Sequence, residues 1–130
     1  MRVLIDTQCW LWMHVSPERF SEVNLSAFES SANEFYLSAA SCWEIAIKYA
    51  LGKLPLPLPP DRYVPSRIES SAVTVLPVSH THALHVGLLP HYHRDPFDRL
   101  LIAQAQLERL EVLTTDRQFS KYDVSVRWAT

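Results

Sequence analysis

Five short apolar runs are spread along this chain, each too short for a helix, with stretches of helical periodicity between them; this alternation restricts the fold more than any other feature. The runs are Val3 to Ile5, Phe35 to Leu37, Val73 to Leu76, Val112 to Thr115 and, more weakly, Val124 to Trp128. Apolar runs of this length bounded by polar residues read as strands. Strands that alternate with helices pair in parallel, and the helices then cover both faces of the sheet. The expected fold is therefore α/β: a three-layer α/β/α sandwich with a central, mostly parallel sheet of four to five strands, formed by residues 1–130 as a single domain. Open sheets of this kind place their sites at the carboxyl ends of the strands.

The helices are marked by their ends. Ser41 followed by Glu44 has the spacing of a capping box, and the helix it opens runs from Cys42 to Leu51 and stops at Gly52. Ser79 opens a shorter helix through His82, Leu84 and His85. Asp95 and Pro96 have the identities of an N-cap and a first helical residue, and Leu100, Leu101, Ile102, Ala103, Ala105 and Leu107 give that helix a broad apolar face. Leu25 to Ala32 reads as helical, capped by Ser26 with Glu29. Leu54 to Pro60 alternates leucine with proline, which predicts a stiff connecting loop whose leucines rest on the core. Trp10, Leu11, Trp12 and Met13 cannot all face one core from a short helix. Leu11 and one tryptophan are expected inside, and the others are candidates for a dimer or partner surface.

A chain of 130 residues buries roughly two-thirds of the surface its unfolded form exposes, and 48% hydrophobic residues exclude disorder. A net charge of -2 argues against a general nucleic-acid binder that relies on a basic surface. It is compatible with a nuclease whose metal ion supplies the positive charge. Cys9 and Cys42 have no zinc spacing and are too few for a disulfide framework, so reduced thiols are expected. His80, His82, His85, His91 and His93 match no zinc motif and read as ordinary helix and loop positions. Asp6 cuts the first apolar run too early for a signal peptide, and no stretch reaches the ~20 apolar residues of a membrane span. A soluble, cytoplasmic protein with no membrane partner is expected.

On that scaffold Asp6 ends the first strand and Asp116 directly follows the strand ending Thr114-Thr115. Glu44 is expected in the first turn of the helix after the second strand, and Asp98 in the first turn of the helix before the Asp116 strand. All four acids then meet at the edge where strands finish and helices begin. Each has a structural alternative, as helix cap, macrodipole partner or turn former, but convergence on one edge favours a site. Packed carboxylates repel, so at least one should have a raised pKa until a divalent cation joins them. Oxygen-only ligands suit Mg2+ or Mn2+, which can activate water and neutralise charge on a scissile phosphate. Asp6 and Asp98 are assigned to hold the main ion, and Asp116 to complete its ligand set directly or through water. Glu44 is assigned to orient the attacking water or to help hold a second ion.

Leu4-Ile5-Asp6-Thr7, then Trp43-Glu44-Ile45-Ala46-Ile47-Lys48 with Leu51-Gly52-Lys53-Leu54, resembles the first half of a PIN domain. His93 to Ala105, reading HRDPFDRLLIAQA, resembles a block of its VapC-like branch, and Leu113-Thr114-Thr115-Asp116 with Phe119 resembles the last acidic motif. The likeness spans nearly the whole chain in the right order. It implies the α/β/α fold, magnesium- or manganese-dependent endoribonuclease activity, homodimers, and inhibition by a cognate antitoxin, as for the toxin of a type II toxin–antitoxin pair. By motif the family's acids fall on Asp6, Glu44, Asp98 and Asp116, and its small hydroxyl residue near the metal on Thr114. Asp95 belongs to the motif in this branch and reads here as the N-cap that positions Asp98.

Arg94 and Arg99 flank the acidic block and, with His93, are candidates for contact with RNA phosphates, since arginine grips phosphate with two parallel hydrogen bonds. A structural salt bridge at the helix start is the competing role for the arginines. Lys48 and Lys53 read as solvated, with tracking of the RNA backbone as the lesser alternative. Two other functions fit parts of the pattern: another magnesium-dependent phosphoesterase on a similar sheet, and a non-catalytic interaction module whose acids only cap helices.

Overall fold

The computed structural model describes residues 1–130 and contains five strands: β1 (Arg2–Ile5), β2 (Glu34–Ser38), β3 (Thr74–Leu76), β4 (Glu111–Thr114) and β5 (Val126–Trp128). Six α-helices connect them: α1 (Thr7–Val15), α2 (Glu22–Glu29), α3 (Ala39–Ala50), α4 (Pro60–Ser71), α5 (His80–His85) and α6 (Pro96–Glu108). The sheet order is β3-β2-β1-β4-β5, and every pair is parallel. The strand order reverses at β1, whose Ile5 is in register with Leu37 of β2 on one side and Leu113 of β4 on the other. The carboxyl ends of β1 and β4 therefore flank the crevice where such sheets bind ligands.

Successive side chains of a strand point to opposite faces, and here both faces are covered. Val3, Ile5 and Leu113 pack with Trp10 of α1, Ile45 of α3 and Tyr63 of α4. Leu4 and Val112 pack on the other side with Leu101 and Ile102 of α6 and with Phe119. Burying a side chain of this size contributes ~1.5–3 kcal/mol, so these two layers hold the crevice rigid.

The elements differ most from expectation at three helices. α3 starts at Ala39, because β2 runs straight into it and the Ser38 hydroxyl caps the Ala40 N–H at 3.0 Å. Ser41 and Glu44 consequently form no capping box, and Glu44 lies a turn further into the helix than expected. α2 is capped by Ser21, whose hydroxyl accepts from the Asn24 N–H, and Ser26 is inside the helix. α4 was not legible as a helix, since Pro65 sits within it. A proline there removes one i→i−4 hydrogen bond; burial of Tyr63 and Val64 offsets the loss.

The proline-rich segment before α4 packs as a loop, with Leu54 and Leu56 against the core. Trp10 and Leu11 are buried. Trp12 and Met13 are half-buried against the same core, Trp12 edge-on to Phe20 and beneath the Arg19 guanidinium. Cys9 and Cys42 are free thiols. No helix is long and apolar enough to cross a membrane.

Candidate active site

Asp6, the residue between β1 and α1, is only 6% exposed. Its Oδ1 accepts from the Cys9 N–H at 2.7 Å, which caps α1, and its Oδ2 accepts from the Thr114 hydroxyl. Thr114 Oγ1 in turn accepts from the Asp116 N–H at 3.0 Å, so one threonine ties the ends of β1 and β4 together. Asp116 caps the 3-10 turn Arg117–Lys121, with Oδ1 accepting from the Gln118 N–H at 2.9 Å. Asp95 caps α6 through the N–H groups of Phe97 and Asp98, as its sequence position implied, and it also lines the cleft between the acids.

Asp98 and Glu44 are different: neither accepts from a backbone N–H. Glu44 is buried, and its Oε1 is 2.7 Å from Thr7 Oγ1 while its Oε2 is paired with the Lys48 ammonium. Lys48 is therefore partnered, where sequence reading left it solvated, because i and i+4 on α3 share a face. The Thr7 hydroxyl also lies 2.8 Å from Ser41 Oγ. A hydroxyl has one proton, so Thr7 donates to Glu44 and accepts from Ser41. Thr7 and Ser41 were missed as site residues. The usable signals were their spacings, one residue after Asp6 and three before Glu44.

His93 sits among the acids instead of facing outward. Its Nδ1 accepts from the Asp95 N–H at 3.1 Å, which leaves the proton on Nε2. Nε2 lies 2.8 Å from Asp116 Oδ2 and 3.1 Å from Asp98 Oδ2. Arg99, offered as an RNA contact, is buried: its guanidinium donates to the carbonyls of Pro90 and Val86, holding the loop before α6. Arg94 is exposed with no hydrogen-bond partner for its side chain.

Asp6, Glu44, Asp95, Asp98 and Asp116 line one cleft of about 170 Å³ with no hydrophobic residue in its wall. Burial, and then the charges of Asp95, Glu44, Asp6 and Asp116, push the Asp98 carboxyl up to about 8. Burial also raises Asp6, partly opposed by the hydrogen bonds from Thr114 and Cys9. A carboxylate oxygen of Asp98 and one of Asp116 lie within 4.8 Å of each other and of a His93 ring nitrogen, and in the tautomer above the His93 Nε2–H bridges the two acids as a donor. The carboxylate oxygens of the cleft, one of them held protonated near neutral pH, are the donors a hard divalent cation takes. A larger hollow of about 620 Å³ lies at the opposite end of the sheet, beside Met1, Arg2 and Arg109, and holds no comparable cluster.

Fold and cleft together define a class: an α/β/α protein with an acidic crevice at the switch point of a parallel sheet. The particular family follows from sequence: residues 3–125 match the PIN domain, and the chain belongs to that family. It is similar to Ribonuclease VapC16 of Mycobacterium tuberculosis, 53% identical over 53 residues, which is 41% of this chain and 38% of that protein. Among solved structures it resembles VapBC2 from Rickettsia felis bound to a promoter DNA fragment, with a TM-score of 0.73, 15% identity, and 100% of each chain covered. It also resembles FitAcB from Neisseria gonorrhoeae, with a TM-score of 0.65, 24% identity, and 95% of each chain covered.

Proposed function

We propose that this chain is an endoribonuclease that depends on Mg2+ or Mn2+ and acts as the toxin of a toxin–antitoxin pair. The observation that carries the reading is that Asp98 and Glu44 are enclosed beside other acids with no capping role, with Asp98 pushed to about 8. Burying charge this way is costly unless something positive joins it. Family membership and the similarity to a named ribonuclease support RNA as the substrate.

Asp6, Asp98 and Asp116 would hold the ion, with Glu44 beside them. When bound, a divalent cation supplies Lewis acidity and lowers the pKa of water. The chain's own contribution is preorganisation. The α1 cap and Thr114 fix both oxygens of Asp6, Lys48 and Thr7 fix those of Glu44, and the 3-10 cap fixes Asp116. Arg94, exposed and next to Asp95 in sequence, would be the phosphate contact. The relatives that form toxin–antitoxin complexes support a protein antitoxin as partner. Exposed Trp43, Leu84 and Leu107 on α3, α5 and α6 support a homodimer, which light scattering of the purified chain would check.

The test is cleavage of RNA by the purified chain with Mg2+, with Mn2+ and with chelator. Activity is expected only with the ions, and Asp98→Asn is expected to abolish it, with helix content unchanged by circular dichroism. Equal cleavage in chelator, or by Asp98→Asn, would overturn the reading. One observation favours the non-catalytic alternative: Asp6, Asp95 and Asp116 do cap helical turns. That alternative requires divalent ions to leave the melting temperature unchanged.

A further inference from the structure

The acidic cleft does not end at Glu44. Thr7, Gln8, Glu44 and Lys48 form a wall it shares with a second cleft of about 170 Å³, which continues to Lys53 and Leu54. The electrostatics change sign across that wall. Glu44 is the only carboxylate lining the second cleft, and Lys48 already neutralises it. Lys53 is exposed and takes part in no ion pair. The Gln8 side chain is exposed too and makes no hydrogen bond, leaving two amide donors free on the shared wall.

The backbone of Lys53 is held in place. Gly52 adopts φ +72°, and the N–H groups of Lys53 and Gly52 donate to the carbonyls of Lys48 at 2.9 Å and Tyr49 at 3.0 Å. This is a Schellman closure of α3. Leu54, the next residue, is packed against the core. Lys53 thus carries an unpartnered charge on an anchored backbone position, one cleft away from the acids, in a molecule of net charge -2. At ~30 Å³ per water the space holds roughly six waters, enough for a phosphate group.

We propose that this second cleft is the subsite for the RNA phosphate adjoining the scissile one, held by the Lys53 ammonium and the Gln8 amide. The proposal rests on the ribonuclease reading and adds a direction to it: the strand leaves the acids toward the end of α3. Lys53 acts by binding and positioning, so it contributes affinity and salt dependence with little sequence preference.

The experiment measures fluorescence anisotropy of a labelled, random-sequence 12-nucleotide RNA with the Asp98→Asn protein in Mg2+. Adding Lys53→Gln should weaken binding about three- to tenfold and reduce the slope of log affinity against log salt by about 0.7. Lys53→Arg should restore both. Arg19→Gln removes the same charge in the 3-10 turn beyond α1 and should change neither slope nor specific affinity. In the cleaving protein, Lys53→Gln should raise KM with little change in kcat. If the Asp98→Asn parent binds RNA and Lys53→Gln behaves like Arg19→Gln, the subsite is wrong and the ribonuclease reading stands. If the parent binds no RNA and wild type cleaves none, both fall.

Discussion

Asp98 has no hydrogen-bonding duty to the backbone, yet it is enclosed with four other carboxylates. Its folded pKa of about 8 exceeds the unfolded value of 3.8. Between those values the folded chain keeps a proton that the unfolded chain has released, so the metal-free fold loses stability as pH rises from about 4 to about 8. Asp98→Asn removes this dependence. In chelator at pH 8 the variant should melt higher than wild type, and the difference should shrink toward pH 4 in parallel thermal melts. A lower melting temperature at pH 8 would point to a structural role for the carboxylate. Thr114 makes the complementary case. Its buried hydroxyl donates to Asp6 and accepts from Asp116, so Thr114→Val leaves both without their partner. A loss of about 1–3 kcal/mol is expected in urea unfolding.

At the scale of elements, the helix ends decide where the acids stand. Starting α3 at Ala39 turns Ser41 and Glu44 inward, onto the face that meets Thr7, and puts Lys48 one turn beyond Glu44. A helix starting at Cys42, as the capping-box spacing suggested, would have left Glu44 in the first turn beside solvent. The glycine-poor composition also has a consequence here. α4 and α6 end on Ala72 and Arg109, both left-handed at φ 56° and 55°, where only α3 has a glycine. Left-handed backbone costs a residue with a Cβ about 1–2 kcal/mol. Ala72→Gly should therefore stabilise the chain by up to about 1 kcal/mol after the entropy that glycine adds to the unfolded state. A raised denaturant midpoint at unchanged m-value would show it.

For the whole molecule, the crevice exists because the sheet order reverses at β1, leaving the ends of β1 and β4 side by side with α1 and the 3-10 turn diverging from them. Two packed apolar layers, one on each face of the sheet, back the strands that carry Asp6 and Asp116 at their ends. On the proposed reading, an ion held there would stabilise the fold by linkage and would have to displace the Asp98 proton. Mn2+ is therefore expected to raise the melting temperature at pH 8 more than at pH 6, with no effect on Asp98→Asn. An equal rise at both pH values would detach the ion from Asp98.

The local sequence was sufficient for the strands and for the placement of Asp6, Asp95, Asp98 and Asp116 at element ends beside one cleft. Unbroken apolar runs, a proline after an N-cap and an acid at a strand end are features that neighbouring residues enforce. It was insufficient for α4, where Tyr63 and Val64 override Pro65, and for Glu44 with Lys48, Thr7 and Ser41, whose pairing depends on α1 lying against α3. Arg99 shows the same limit: beside an acidic motif it looks like a phosphate ligand, and only the loop folded over it supplies the carbonyls that consume its donors. Chain-local propensity sets which residues stand at element ends. Which of them are desolvated, and by what partner, depends on surfaces distant in sequence that meet only when the layers pack.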